Sequence, residues 1–428
     1  MKHTATKVKL KNGATGLLID IPGATVMSFQ FQFRAGSRYV KDQAIYETAH
    51  IMEHMAFGAN DDFKSEHDYE AEFTKNGAYH NAYTSDLSMV YVADCADFEW
   101  NRILDLQRLA ICHPKFNNVE LEAEKGNVRS ELTGFLNNHN RILWPKVQQL
   151  LGEDILTFAQ RIKTIPSVSL ADIKEHHTRT HTAKNLSFVI AGKLNGRKSD
   201  IVRQLESWEI PKGERFEVPK DELTKGNPTL IRRKESSNLT FGFSMVLPRE
   251  LSDDEAEAMN VLDHILTGTM HSRIYGAARK KGLAYGVFSD TSVGFHDSSW
   301  DFGGQVNLET SAELFDIIVR EVGLVLEGKI TEEELNAAKS YALGRYQMGA
   351  QTVAQISNFY TGRFFADGIV KEYEKIPDAI TKTTRKCIIE TAQEFTKHGA
   401  WVLAGVSSGE KDDITQLSDK LESLFAKE

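Results

Sequence analysis

A chain of 428 residues that is 41% hydrophobic has enough apolar material for a core in each of two or three domains. Its formal charge of −9 argues against a nucleic-acid partner, whose phosphates need a basic face, and no apolar run is long enough to cross a bilayer. Three cysteines without C-x-x-C spacing (Cys95, Cys112, Cys387) read as reduced, mostly buried thiols, and Met1–Lys7 has no apolar leader, so a cytoplasmic protein is expected.

Lys11-Asn12-Gly13 is a turn signal between short apolar runs and predicts a hairpin. From Met27 to Arg34 the alternation is clean, with Met27, Phe29, Phe31 and Phe33 facing one way and Ser28, Gln30, Gln32 and Arg34 the other, as in a half-buried antiparallel strand. The segment Gln43 to Phe57 reads as a helix ended by Gly58-Ala59-Asn60. Gly77 to Ala93 reads as a strand, and Phe98 to Ala110 as a helix with Pro114 beyond its end. Glu120 to Leu132 looks helical, and Leu186 to Gly192 forms a buried strand.

The second half repeats the first. Leu239, Phe241, Phe243, Met245 and Leu247 alternate as Met27 to Phe33 do. Ser252-x-x-Glu255 is a capping box that starts a helix. Met259 to His264 on that helix matches Ala49 to His54 at an offset of 210. Glu334 to Lys339 matches Glu120 to Lys125 at an offset of 214, and Trp401 to Gly405 matches Phe188 to Gly192 at 213. Nearly constant offsets indicate two tandem copies of one unit. The expected fold is therefore α+β: two homologous α/β domains, each a mainly antiparallel sheet packed with helices. They span residues 1–209 and 229–428, with a charged linker at 210–228 that holds Pro and Gly.

The chemistry is concentrated in Ala49 to Phe57, which contains His50, Glu53 and His54 in the order H-x-x-E-H. On a helix the two imidazoles lie one turn apart on one face, as two ligands of one metal ion require. Glu53 sits close enough to take a proton from a water on that metal, and the order is the reverse of the commoner H-E-x-x-H zinc motif. Glu124 and Glu131, seven apart, share a face of the later helix, a pairing that by itself is usually no more than the charge decoration of a solvated face. In the second copy Asn260, Asp263 and His264 stand at the positions of His50, Glu53 and His54, with Arg345 at that of Glu131. That set cannot hold zinc, so His264 is read as a packed helix residue. His176, His177 and His181 complete no recognisable ligand pattern and are read as a polar helix end and loop.

With its H-x-x-E-H and downstream glutamates, the sequence resembles the pitrilysin, insulinase and mitochondrial processing peptidase family of zinc endopeptidases. The resemblance extends to Ala35-Gly36-Ser37-Arg38-Tyr39, Asn81-Ala82-Tyr83-Thr84-Ser85, Ser272-Arg273-Ile274-Tyr275 and Lys281-Gly282-Leu283-Ala284-Tyr285. It implies one Zn2+ per chain held by His50, His54 and Glu131, with Glu53 as general base and Glu124 orienting a ligand. It also implies that an extended substrate adds to the strand at Asn81 and Ala82, where the residues alone allow an ordinary sheet strand. Members of the family place an arginine seven residues before a substrate-binding tyrosine. Here Tyr285 is preceded at that spacing by Ala278, and the nearest arginine is Arg279, which fits either a local deletion or a lapsed role. Family members with two such units form half of a clam-shell, so a homodimer or a heterodimer with a related chain is expected to enclose unfolded peptides or precursor segments. The alternative within the same resemblance is a catalytically silent or partner-dependent subunit of a heterodimer.

Overall fold

The turn at Lys11–Gly13 closes a hairpin in which β1 (Thr4–Lys9) pairs antiparallel with β2 (Thr15–Asp20). Gly13 takes a left-handed φ of +104°, which only glycine adopts without strain. In the computed structural model, which describes residues 1–425, this hairpin belongs to the first of two units. That unit contains Met1–Gly134, Phe158–Pro219 and Met348–Tyr373; the second contains Phe135–Thr157, Lys220–Gln347 and the residues from Glu374 on.

The first unit is built on a six-stranded sheet. After β2 come β3 (Val26–Phe33), β4 (Tyr79–Thr84), β5 (Met89–Ala96) and β6 (Leu186–Gly192), in the spatial order β1-β2-β6-β3-β5-β4. Only β2 and β6 run parallel. The second unit has β7 (Thr229–Arg232), β8 (Asn238–Leu247), β9 (Ala284–Val293), β10 (Ser298–Asn307) and β11 (Ala400–Ser407), in the order β7-β11-β8-β10-β9. Again only its first pair, β7 with β11, is parallel. Strand for strand this is the order β2-β6-β3-β5-β4 of the first sheet, so the sequence repeat is a repeat of fold.

The helices are exchanged with respect to that repeat. Helix Val353–Asp367, late in the chain, packs on β6 and β3 of the first sheet, and helix His139–Leu150 packs on β8 and β11 of the second. Each contributes a separate apolar cluster: Val353, Ile356, Tyr360 and Phe364 against Leu17, Ile19, Val189 and Ala191, and Ile142, Leu143 and Val147 against Val246, Val402 and Ala404. The exchange corrects the reading of Met27–Arg34 as half-buried. Ser28, Gln30 and Gln32 are buried along with the phenylalanines that alternate with them, because helix Val353–Asp367 lies over their face. Gln30 is satisfied there by Asn358 and by Thr361, whose hydroxyl donates to its Oε1 at 3.0 Å.

Other boundaries differ locally. The stretch Gly77–Ala93 is a hairpin rather than one strand, since Ser85–Ser88 turns the chain between β4 and β5. The first-copy metal-motif helix starts only at Thr48, after a single 3-10 turn at Gln43–Ile45. The capping box at Ser252 and Glu255 forms as read, and residues 209–228 have no helix or strand.

His176, His177 and His181 lie at the end of helix Leu170–Thr180, as read, but they are packed into the protein. His176 Nε2 donates to the Ala35 carbonyl and His177 Nε2 to the Ile111 carbonyl, both at 2.9 Å. His181 is stacked on Phe33 and His177, with ring centroids 4.3 and 4.4 Å away, and its Nε2 is bonded to the Tyr91 hydroxyl at 2.8 Å. Burial pushes His176 and His177 down to about 4 and His181 well below its usual value. Each group's folded value lies below its unfolded one, so the stability it contributes is complete above pH 6.5 and is lost as pH falls toward 4. Between pH 7 and pH 5 each imidazole should withdraw about 2 kcal/mol. In urea unfolding of wild type and His177→Gln, the wild type should lose about that much more over this pH interval. An identical pH slope in the two proteins would refute the buried, neutral state of His177.

Candidate metal centre

Helix Thr48–Ala56 presents His50 and His54 on one face, with ring centroids 5.0 Å apart and planes at 82°. Glu131 reaches the same point from helix Asn118–Phe135. Its Oε2 lies 3.4 Å from His50 Nε2 and 3.5 Å from His54 Nε2. Among the described residues these three form the group whose ligand atoms converge, all within 4.8 Å of one another. A tetrahedral zinc ion with bonds of about 2.0–2.1 Å keeps its ligand atoms about 3.3–3.4 Å apart, which the two histidine-to-glutamate distances match.

The ring tautomers are set from behind. His50 Nδ1 is bonded to Glu47 and His54 Nδ1 to Glu124, each at 2.9 Å. A carboxylate at Nδ1 holds a proton there, so that Nε2, which faces Glu131, is the nitrogen left for a metal once its own proton is displaced. Glu47 is wholly buried and is also bound by Arg161, whose Nε lies 2.5 Å from Oε1. Burial pushes the Glu47 carboxyl up, yet hydrogen bonding from His50 and the Arg161 charge outweigh it and hold it below the ordinary carboxylate value. Glu131 is held far lower still, chiefly because both imidazoles donate to it. Burial lowers His54, but Glu124 and Glu131 overcome this and carry it up to about 10. Protons thus occupy a carboxylate-rich cluster that a dication would enter in their place.

Glu53 sits one residue before His54 and is 9% exposed. Burial raises its carboxyl above the usual range against the opposing pull of His50, His54 and Thr84. Thr84 Oγ1 donates to Glu53 Oε2 at 3.0 Å. Thr84 ends β4, which pairs only with β5 and is the outer strand of its sheet. On β4, Tyr79, Asn81 and Tyr83 are exposed while Ala82 is buried on the other face. Asn81 and Ala82 therefore lie on a strand whose outer backbone edge is unpaired in the sheet.

Arg279 and Tyr285 belong to the second unit, on helix Arg273–Lys280 and on β9. The Arg279 guanidinium lies over the Tyr285 ring, 4.8 Å from its centroid, and Tyr285 is 85% exposed. In the same unit His264 meets the Tyr341 ring edge-on at 4.8 Å, as a packed residue.

Three members of the first-copy cluster escaped the sequence reading. Glu47 carried a signal, since it lies three residues before His50 on the same helical face. Thr84 lies in the run Asn81–Ser85, to which the resemblance attaches a role only at Asn81 and Ala82. Arg161, 114 positions from Glu47, had no local signal.

A duplicated α+β fold with a His-His-Glu cluster in its first copy is the architecture of one peptidase class. Residues 17–153 match the model for Insulinase (Peptidase family M16), and residues 167–341 match that for the Peptidase M16 inactive domain. The chain belongs to peptidase family M16. An uncharacterized zinc protease of Rickettsia felis is 24% identical over 409 residues, 92% of this chain and 96% of its own. The mitochondrial-processing peptidase subunit beta of Saccharomyces cerevisiae is 24% identical over 355 residues, 78% of this chain and 76% of its own. A Pseudomonas fluorescens structure described as a peptidase M16 inactive domain shares the fold, with a TM-score of 0.84 at 18% identity over 95% of this chain and 99% of that one.

Removal of the Nδ1 partner tests the geometry. Glu124→Ala should weaken zinc binding about 10- to 100-fold in a chelator competition while leaving the thermal midpoint of the metal-free protein within a few degrees. Unchanged zinc affinity would show that His54 needs no orienting carboxylate.

Proposed function

We propose that this chain is a zinc-dependent endopeptidase that cleaves unfolded peptides or precursor segments. The observation that carries the reading is the convergence of His50, His54 and Glu131, with the two Nε2 atoms 3.4 and 3.5 Å from Glu131 Oε2, beside the buried carboxylate of Glu53. A structural zinc site is closed by four protein ligands and has no use for such a base; three ligands and a base fit a hydrolytic site. Zinc bound there supplies Lewis-acid polarisation of the scissile carbonyl and of water.

The remaining steps belong to the protein's own groups. Glu53 takes the proton of the attacking water and passes it to the leaving amine. Its raised pKa suits both halves of that transfer, because a carboxylate nearer neutrality gives the proton back more readily. Thr84 occupies Oε2 and leaves Oε1 for the proton. A peptide added along the free edge of β4 is bound through backbone groups at Asn81 and Ala82, which selects extended chains and makes little use of side chains. Arg279 and Tyr285 of the second copy are assigned to substrate binding as a stacked pair. A related chain, identical or not, completes the enclosure, in keeping with the subunit status in the name of the yeast relative. The cytoplasm is the proposed location; no helix among the described residues is long and apolar enough to cross a membrane.

The second reading is a catalytically silent or partner-dependent subunit. It is favoured by the match of residues 167–341 to the Peptidase M16 inactive domain and by the displaced position of Arg279. Cleavage of an unstructured fluorogenic peptide mixture by the purified zinc-loaded chain separates the two. Activity is expected, lost with chelator, and reduced at least 10^3-fold in Glu53→Gln with zinc still bound. Normal turnover in that variant would remove Glu53 from the mechanism, and a zinc-loaded but silent wild type would favour the second reading. Thr84→Val should lower kcat about 10-fold with little change in KM, as expected for a residue that positions the base. A change confined to KM would instead place Thr84 among the substrate contacts.

A further inference from the structure

A cavity of about 670 Å³ in the first unit is lined by Lys7, Lys9, Lys11, Lys184, Lys212 and Arg215. In a chain with a net charge of −9, six cations around one hollow stand out. We propose that this cavity binds a compact polyanion of the triphosphate class, at a site separate from the metal centre.

The cavity has a built floor. Lys9 is paired with Thr15 across β1 and β2, and Thr15 with Ser187 across β2 and β6. Cross-strand partners point to the same face, so an ammonium and two hydroxyls form one row. Ser187 is 3% exposed and accepts a hydrogen bond from Arg215 Nη1 at 3.2 Å, which leaves its own proton to donate. Lys7 is two residues before Lys9 and so shares its face. Backbone bonds fix the opposite wall: Ala183 N donates to the Pro211 carbonyl at 2.8 Å and Lys184 N to the Lys212 carbonyl at 3.0 Å, which places the two lysines side by side.

Part of this charge has a structural use. Lys7 donates to the Gly368 carbonyl at 2.8 Å and Arg215 Nη2 to the Phe365 carbonyl at 2.6 Å, so both cap the end of helix Val353–Asp367, and Lys11 pairs with Glu206 at 2.7 Å. Lys9, Lys184 and Lys212 have no carboxylate partner among the described residues. The acid that lines the cavity, Asp367, is paired with Arg363 at 2.9 Å. Three unpaired ammonium groups beside two hydroxyls match a ligand with three or four negative charges and many acceptor oxygens. A single carboxylate would leave most of that charge unused.

The test is fluorescence anisotropy of a fluorescein-labelled adenosine triphosphate held at nanomolar concentration, too dilute to strip metal, titrated with the zinc-loaded full chain. Saturable binding is expected, displaced by inorganic triphosphate but not by adenosine, and weakened as salt is raised. Orthophosphate should compete at least 10-fold less well than triphosphate. The double variant Lys184→Glu, Lys212→Glu should bind at least 10-fold more weakly. Lys386→Glu with Lys397→Glu makes the same change of net charge on helix Arg385–His398 and should leave binding within 2-fold. Absence of saturable binding, displacement by adenosine alone, or equal losses in both double variants would overturn the proposal. Circular dichroism and zinc content of each variant exclude misfolding as the cause of a loss.

Discussion

The candidate metal face depends on a carboxylate, Glu47, that stands behind the histidines and is not one of the three converging groups. Glu47 is fully buried, and an ionised carboxyl in that position would be prohibitively costly without compensation. Arg161 and His50 supply it together. The arrangement ties three segments into one geometry: the residue before the metal-motif helix, that helix itself, and helix Phe158–Thr164, which carries Arg161. His50 cannot rotate without leaving Glu47 short of a donor, and Glu47 cannot move without stranding a buried guanidinium. The orientation of one ligand is thereby fixed by a buried ion pair, whereas His54 is held by the more exposed Glu124.

What the residues disclosed was set by how far apart the interacting groups stand in sequence. The two histidines and Glu53 share one helical turn, so their face was evident from spacing alone. Glu131 could be joined to them only through the family resemblance, because periodicity says which face of a helix a glutamate occupies and nothing about what faces it. Arg161 was hidden for the same reason. The buried strands were legible where alternation and burial agree, as in Leu186–Gly192, and misleading where they part. Ser28, Gln30 and Gln32 alternate with phenylalanine as a solvated face would, yet a helix more than 300 residues later covers them. That helix is assigned by the repeat to the second copy, and only the folded chain reveals the exchange. Local pattern fixes element type; the covering of a face is a long-range fact.

The duplication separates frame from chemistry. Both copies keep a helix against an outer strand, and both keep an acid on that helix hydrogen-bonded to a threonine of the strand: Glu53 to Thr84 at 3.0 Å, and Asp263 to Thr291 at 2.9 Å. The surroundings then diverge. Asp263 also accepts from the Trp300 indole at 3.1 Å, and burial carries its carboxyl up to about 7 against the hydrogen bonds of Ser289, Thr291 and Trp300. Its neighbour His264 is pushed down by burial and by the Arg345 charge, where the first copy has histidines raised by Glu131 and its partners. With Asn260 in place of His50 and Arg345 in place of Glu131, the second copy keeps neither the ligand set nor the charge of the first, while the threonine-to-acid bond survives. The bond survives because it does structural work in both copies, fastening the outer strand to the helix beneath it. In the first copy alone the same bond also fixes a carboxylate beside converging ligand atoms, so the proposed catalysis uses a contact that the fold already maintains.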